Sequence, residues 1–147
     1  MKKKIYLSVV IPCYNEKENL ERGVLAAVEN YLAKQEYSSE VIISDDGSID
    51  SSLNFVSKFT KKHHRFRLLK NHHAGKPFAV RSGINQAKGK WVLFMDMDQS
   101  APLKEIEKFL PFFDMIDSLP CNLEILFVQF NSSKLELLKH SSLTCCS

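Results

Sequence analysis

Short apolar runs alternate along the chain with stretches whose apolar residues recur at helical spacing. Residues 5–11 (IYLSVVI) are rich in β-branched side chains and predict a strand that Pro12 stops. From 16 to 33, Leu20, Val24, Ala27, Val28 and Tyr31 predict a helix. Residues 40–44 (EVIIS) read as a buried strand closed by the turn Asp45-Asp46-Gly47-Ser48. Asp50 or Ser51 suits the cap of a second helix carrying Leu53, Val56, Phe59 and Thr60. A third strand follows at 66–69, then a polar loop at 71–77 whose Pro77 suits the first turn of a helix to Ala87, ended by Gly89. Residues 91–95 (WVLFM) predict a fourth strand and 96–101 a loop. Pro102 then starts a helix reaching Phe113 or Leu119, and 123–130 reads as a fifth strand.

Strands apolar on both faces, alternating with helices, predict an α/β fold: a mostly parallel sheet with helices on both faces. Right-handed crossovers bring the carboxyl ends of such strands to one edge, where open α/β sheets bind ligands. The polar clusters all fall at those ends: Pro12-Cys13-Tyr14-Asn15-Glu16, Asp45-Asp46-Gly47-Ser48 and Asp96-Met97-Asp98. The opposite loops, at 61–65 and 88–90, carry mostly basic residues.

Composition narrows this only a little. A chain of 147 residues is long enough for one ordinary domain, and 44% hydrophobic with 25% charged residues excludes disorder. A net charge of +3 is too small to argue for nucleic acid as a partner. Cys13, Cys121, Cys145 and Cys146 form neither a disulfide framework nor a metal clip, and reduced thiols in a cytoplasmic protein are expected. No apolar run approaches the ~20 residues that span a bilayer, so membrane contact is expected at most at a surface, with Lys2, Lys3 and Lys4 available to anionic lipid. All five glycines precede residue 90 and no proline follows Pro120, which sets 121–147 apart.

The clusters differ in what they can do. Two carboxylates one residue apart, Asp96 and Asp98, repel each other unless a hard divalent cation shares them, and magnesium held this way usually leans on substrate phosphates as well. An isolated Asp-x-Asp serves equally as a solvated helix cap, with Asp98 or Ser100 in that role. Asp45 or Asp46 suits a nucleobase imide or ribose hydroxyl, although turn chemistry alone accounts for that pair. The first loop lacks the glycines that cradle phosphates in dinucleotide and phosphate-loop folds; Pro12 and Tyr14 stand there, and the Tyr14 ring suits stacking on a base. Lys76 and Arg81, around a helix start, suit diphosphate oxygens, or stand simply as solvated cations. The histidine pairs His63-His64 and His72-His73 admit a transition metal but fit solvated loops better. Asn131-Ser132-Ser133 is formally a glycosylation sequon, with nothing to place it in a secretory lumen.

Pro12-x-Tyr14-Asn15-Glu16, Asp45-Asp46-Gly47-Ser48, Asn71…Gly75-Lys76…Arg81-x-Gly83 and Asp96-x-Asp98 together resemble the family 2 glycosyltransferases of the GT-A fold. The run Asp96-x-Asp98-x-Ser100-x-Pro102-Leu103-x-Glu105-Ile106 looks most like the dolichyl- or polyprenyl-phosphate sugar transferases, and the resemblance covers residues 4 to about 113. It implies a Rossmann-like nucleotide-diphospho-sugar-binding sheet, a UDP- or GDP-linked sugar as donor, Mg2+ or Mn2+ as cofactor, and a lipid-phosphate acceptor at the cytoplasmic face of a membrane. By resemblance Pro12, Tyr14 and Glu16 line the nucleotide pocket, and Asp46 with Asp45 binds base or ribose. Asp96 meets ribose or metal, Met97 beside it counts among the nucleotide-sugar-binding residues, Asp98 coordinates the metal, and Lys76 and Arg81 sit near the phosphates. Such enzymes invert the anomeric centre in one displacement. No residue is identified as a general base.

Catalytic domains of that family are longer, and Val128-Gln129-Phe130 stands where an arginine-containing strand is expected. The expectation is therefore a donor-binding domain over 1–120 and a truncated or divergent segment over 121–147. Two alternatives remain open: a catalytically inactive nucleotide-sugar-binding module, and a haloacid-dehalogenase-like phosphatase with Asp96 as nucleophile. In the latter fold, however, that motif follows the first strand.

Overall fold

The apolar runs form the strands, and the sheet they build is described by a computed structural model covering residues 4–99, 103–117, 126–131 and 134–139. β1 is Leu7–Cys13, β2 Ser39–Asp45, β3 Phe66–Lys70, β4 Trp91–Phe94, β5 Leu126–Asn131 and β6 Lys134–Lys139. They lie in one sheet in the order β3-β2-β1-β4-β5-β6. The first five run parallel and β6 pairs antiparallel with β5, so the sheet is mostly parallel as expected. β6 was not foreseen: its alternation in Lys134-Leu135-Glu136-Leu137-Leu138-Lys139 is short, and no glycine or proline precedes it in the sequence after β5.

Helices cover both faces. α1 (Lys17–Glu21), α2 (Val24–Leu32), α3 (Ser52–Lys62) and α5 (Leu110–Asp117) bring Leu20, Leu25, Val28, Leu32, Val56 and Phe113 against Leu7, Val9, Ile11 and Cys13 of β1. α4 (Lys76–Asn85) covers the other face, where Ile84 packs with Val10, Ile42, Val92 and Phe94. Alternate β1 residues thus serve two cores, which is why the run reads as apolar throughout.

Several boundaries differ from expectation for identifiable reasons. The helix expected over 16–33 breaks at Gly23, whose φ of 86° no α-helix accommodates. Beyond that break Leu25 and Leu32 are buried and Ala27 is exposed, a rotation the unbroken periodicity did not anticipate. After the loop past β4, Leu103–Lys108 wind as a 3-10 helix before α5 begins. Pro102 and Ser100, given roles there, lie outside the described residues, as do 123–125 of the expected fifth strand, Ser132 and Ser133 of the sequon, Lys2, Lys3, Cys121, Cys145 and Cys146. Cys13 is a buried free thiol.

Pro12 does not stop β1; the strand runs one residue beyond it. Pairing with β4 ends at Val10 and Phe94, whereas pairing with β2 continues to Cys13 and Asp45. Val10 O accepts from Met95 N, and Cys13 O accepts from Asp46 N. Alternate residues face opposite neighbours, so Pro12 turns its missing N–H toward the β4 side, just past the last β4 pair.

The amino-end loops hold more than solvated cations. Glu40, 5% exposed, accepts hydrogen bonds from Ser8 Oγ at 2.7 Å and Lys88 N at 2.7 Å, and an ion pair from Arg67 at 3.0 Å. Gly89 N donates to the same Ser8 Oγ at 2.8 Å. The carboxylate ties the edge of β2 to the turn before β4.

Candidate functional site

Strand order places β2 and β4 on opposite sides of β1, so the connections leaving the carboxyl ends of β1 and β4 diverge and leave a crevice. An open cleft of about 80 Å³ lies there, lined by Pro12, Cys13, Tyr14, Glu16, Asp46, Lys76, Ala79, Asp96 and Met97. Of the residues named from sequence, Pro12, Tyr14, Glu16, Asp46, Lys76, Asp96 and Met97 come together. Cys13 and Ala79 join them unforeseen.

Each wall is held by short-range hydrogen bonding. Asn15, at a positive φ of 54°, aims its Oδ1 at the N–H groups of Ile49 (3.0 Å) and Asp50 (3.3 Å), while its own N–H donates to Ser48 Oγ. The first and second loops are thereby clasped. Asp50 Oδ1 accepts from Ser52 N, the first N–H of α3, at 2.8 Å, and Ser51 is the residue at the cap. Burial raises the pKa of Asp50, but the Ser52 hydroxyl and N–H and the Lys17 N–H outweigh that and hold it below the ordinary value. Asn71 completes the frame: its Nδ2 donates to Ser44 Oγ and Asp45 O, both at 2.9 Å, and its Oδ1 accepts from Ser82 Oγ on α4.

The two adjacent aspartates have separate jobs. Asp45 is buried and its Oδ2 accepts from Gly47 N and Ser48 N, both at 3.0 Å, so it closes its own turn and does not line the cleft. Asp46 reaches the other way. Its Oδ1 accepts from Ala74 N (2.9 Å) and Gly75 N (3.1 Å), and its Oδ2 accepts from Gly75 N (2.9 Å) and lies 2.9 Å from His73 Nδ1. Burial of Asp46 raises its pKa, yet the N–H groups of Ala74 and Gly75 and the His73 ring prevail and lower it. It is therefore an ionised acceptor that also fastens the third loop to the second. Gly75, with φ of 96°, makes the turn that presents its N–H to this carboxylate.

On the far wall Lys76 Nζ pairs with Asp96 Oδ1 at 2.5 Å and stands over the Phe94 ring. Met97 is buried in the core, and between it and β1 the cleft floor is apolar. Asp98 is exposed and outside the cleft lining, and Arg81 is exposed on α4, also outside it. Burial, with the Asp45 carboxylate adding to it, pushes the Cys13 thiol up to about 12, which makes it an inert wall rather than a nucleophile. Tyr14 and His73 stack with centroids 4.4 Å apart and planes at 21°. His63 stacks on Phe59 and His72 lies against Phe78. Among the described residues no group of three or more His, Cys, Asp or Glu is arranged to hold a metal.

Asn15, Asn71 and His73 appear in the sequence motifs, but the sequence reading gave none of them its role of holding other residues in place. Their signal is weak, because polar loop residues look alike until the loops they join are known to be neighbours.

A family model described as glycosyl transferase family 2 matches residues 8–119. The dolichyl-phosphate beta-glucosyltransferase of Saccharomyces cerevisiae is 33% identical over 129 residues, covering 82% of this chain and 38% of the relative. The dolichyl-phosphate beta-glucosyltransferase of Dictyostelium discoideum is 37% identical over 111 residues, covering 71% of this chain and 34% of the relative. The chain thus spans little more than a third of the length of these curated relatives. Among solved structures, S. aureus TarS (residues 1–349) in complex with UDP superposes with a TM-score of 0.57 at 28% identity, covering 74% of this chain and 32% of TarS.

Proposed function

We propose, from the premise that the chain belongs to glycosyl transferase family 2, that its cleft binds the nucleoside diphosphate of a sugar donor for transfer to a polyprenyl or dolichyl phosphate. The observation that carries this is the cleft at the β1/β4 crevice, where an aromatic face, an ionised acceptor and a cation–carboxylate pair converge in Tyr14, Asp46, Lys76 and Asp96. The relatives named as dolichyl-phosphate glucosyltransferases support the acceptor class, and the UDP complex of TarS supports a uridine nucleotide as donor base, with GDP the alternative.

The roles follow from the groups. Tyr14 offers a flat ring to the base, and Asp46, ionised and turned into the cleft, accepts from a base or ribose donor. Lys76 brings N–H donors and positive charge to the diphosphate. Asp96 and Asp98, hard oxygen donors at the end of β4, fit Mg2+ or Mn2+ of the kind that relies on one or two carboxylates plus phosphate oxygens; two protein ligands match that chemistry and a complete protein cage does not. A cation bound by them would stabilise the charge that builds on the departing diphosphate. An acceptor phosphate is already anionic, so attack with inversion at the anomeric carbon needs no general base. Pro12, Cys13, Ala79 and Met97 exclude water from one side. All these residues lie within 1–120, which we take as the donor-binding unit. Among the described residues no helix is long and apolar enough to cross a membrane; we place the chain at a cytoplasmic membrane surface, where a lipid phosphate is presented.

Calorimetric titration with UDP, GDP and their glucose and mannose conjugates, with and without Mn2+, tests the reading. Binding that requires the cation, and that weakens about tenfold or more in Asp96→Asn, is expected. No nucleotide binding under any of these conditions refutes it. Turnover with a polyprenyl phosphate present distinguishes a transferase from a module that binds nucleotide sugar only.

A further inference from the structure

We propose that His73 is a positioning residue of the nucleobase subsite, backing the Tyr14 ring so that its cleft side is held ready for a base. The inference rests on the nucleotide reading above and adds a residue to it.

Tyr14 sits on a loop, is 40% exposed, and lines the cleft, whereas His73 does not line it. Two stacked rings at 4.4 Å leave each only one free face. His73 therefore covers one face of Tyr14, and the remaining face is the one left for a base to meet. An exposed tyrosine without that backing samples several rotamers, and a ligand must then supply the free energy of ordering it. With the ring already stacked, that cost falls before the ligand arrives.

His73 is itself fixed. Its Nδ1 lies 2.9 Å from Asp46 Oδ2 and 3.1 Å from Asp46 O; both are acceptors, so Nδ1 carries the hydrogen. Its backbone neighbours Ala74 and Gly75 donate to the same carboxylate, which holds the loop independently of the imidazole. Opposite stands Gly47, where a Cβ would come within 3.0 Å of His73 N, so the second loop passes close against the third. One side chain thus meets all three loops: the first through Tyr14, the second through Asp46, the third as its own. Asp46 and Tyr14, the two groups expected to touch base or ribose, are set relative to each other through it.

The test compares UDP and GDP with inorganic pyrophosphate, each titrated with Mn2+ into the wild-type chain, His73→Ala and His73→Phe, with thermal melts to verify folding. His73→Ala is expected to weaken nucleoside-diphosphate binding by about five- to thirtyfold, the lower part of the range base–aromatic stacking covers, while pyrophosphate binding stays within about twofold. His73→Phe keeps a ring against Tyr14 on a loop that Asp46 still holds, and is expected to stay within about threefold of wild type. Unchanged or tighter nucleotide binding in His73→Ala overturns the proposal. So does an equal loss of pyrophosphate, which marks general loosening, or a loss in His73→Phe as large as in His73→Ala. A wild-type chain that binds neither nucleotide overturns the nucleotide reading itself, a different outcome from a nucleotide-binding chain indifferent to residue 73.

Discussion

Alanine in place of Gly83 sets helix propensity against packing, and the structure says which wins. In an exposed helix interior the exchange stabilises by up to about 1 kcal/mol. Here the added Cβ would stand 2.4 Å from Val10 Cγ1, 3.6 Å from Val10 Cβ and 3.5 Å from Ser44 Cβ. Carbon atoms rest at about 3.5–4.0 Å, so the first contact overlaps by about 1 Å or more. Val10 has little room to yield: it is fully buried, β-branched, and paired on both sides by β2 and β4. α4 must lift instead, straining the Ser44 Oγ to Ala79 O bond of 2.6 Å. An overlap this deep falls in the upper part of the overpacking range, about 2–3 kcal/mol, which leaves a net loss of about 1–2 kcal/mol after propensity is credited. That corresponds to a melting temperature lower by about 2–8 °C in a chain of this size. Urea unfolding followed by circular dichroism measures it, in a double-mutant cycle with Val10→Ala. Removing Cγ1 relieves the clash, so the double variant is expected to lose at least about 1 kcal/mol less than the sum of the singles. A Gly83→Ala protein as stable as wild type, or strict additivity, refutes the argument.

Three further outcomes are expected. Glu40→Gln keeps the shape but turns an amide hydrogen toward donors that need an acceptor, among them Ser8 Oγ, Lys88 N and Arg67, and should cost about 1–3 kcal/mol in chemical denaturation; an unchanged midpoint contradicts it. Asp46 and Asp50 both have lowered pKa values in the folded chain, so the folded state binds fewer protons in acid. The stability they contribute is full above the unfolded carboxylate value of about 4 and disappears as pH falls through their folded values. Urea stability measured between pH 3 and 6 should fall toward acid less steeply in Asp46→Asn than in wild type, and an equal slope counts against the assignment. Cys13, with its thiol pushed up to about 12 and buried, should resist alkylation at pH 8 in the folded chain and react once unfolded, as peptide mass mapping can follow; rapid native labelling contradicts the burial.

The sheet was legible because its central strands are apolar on both faces, and β1, β2 and β4 could hardly be anything else. That all acidic clusters share one edge followed from the alternation of strand and helix alone. Other features depended on partners distant in sequence. Asp45 and Asp46 are chemically identical neighbours, and only the arrival of the 73–75 loop decides that one closes a turn while the other faces the cleft. Glu40 reads as an ordinary strand residue until Arg67 and the N–H of Lys88 are brought beside it. Gly23 lies within a good helical period, and periodicity does not register a single left-handed residue. Pro12 misled for the opposite reason. A proline ends a strand that has neighbours on both sides, but not one that has already lost a neighbour on the side where the N–H is absent.

That proline bears on why there is a cleft at all. Continuing the β1/β4 register by two residues would set Pro12 opposite Asp96, and the next bond of the ladder would need the hydrogen that Pro12 does not carry. The two strands cannot zip further, and the residues that would have been ladder partners instead become facing walls of an opening. The cleft is, in this sense, the place where the sheet stops being able to heal itself. A residue with a free N–H at position 12 would give the seam a means of closing.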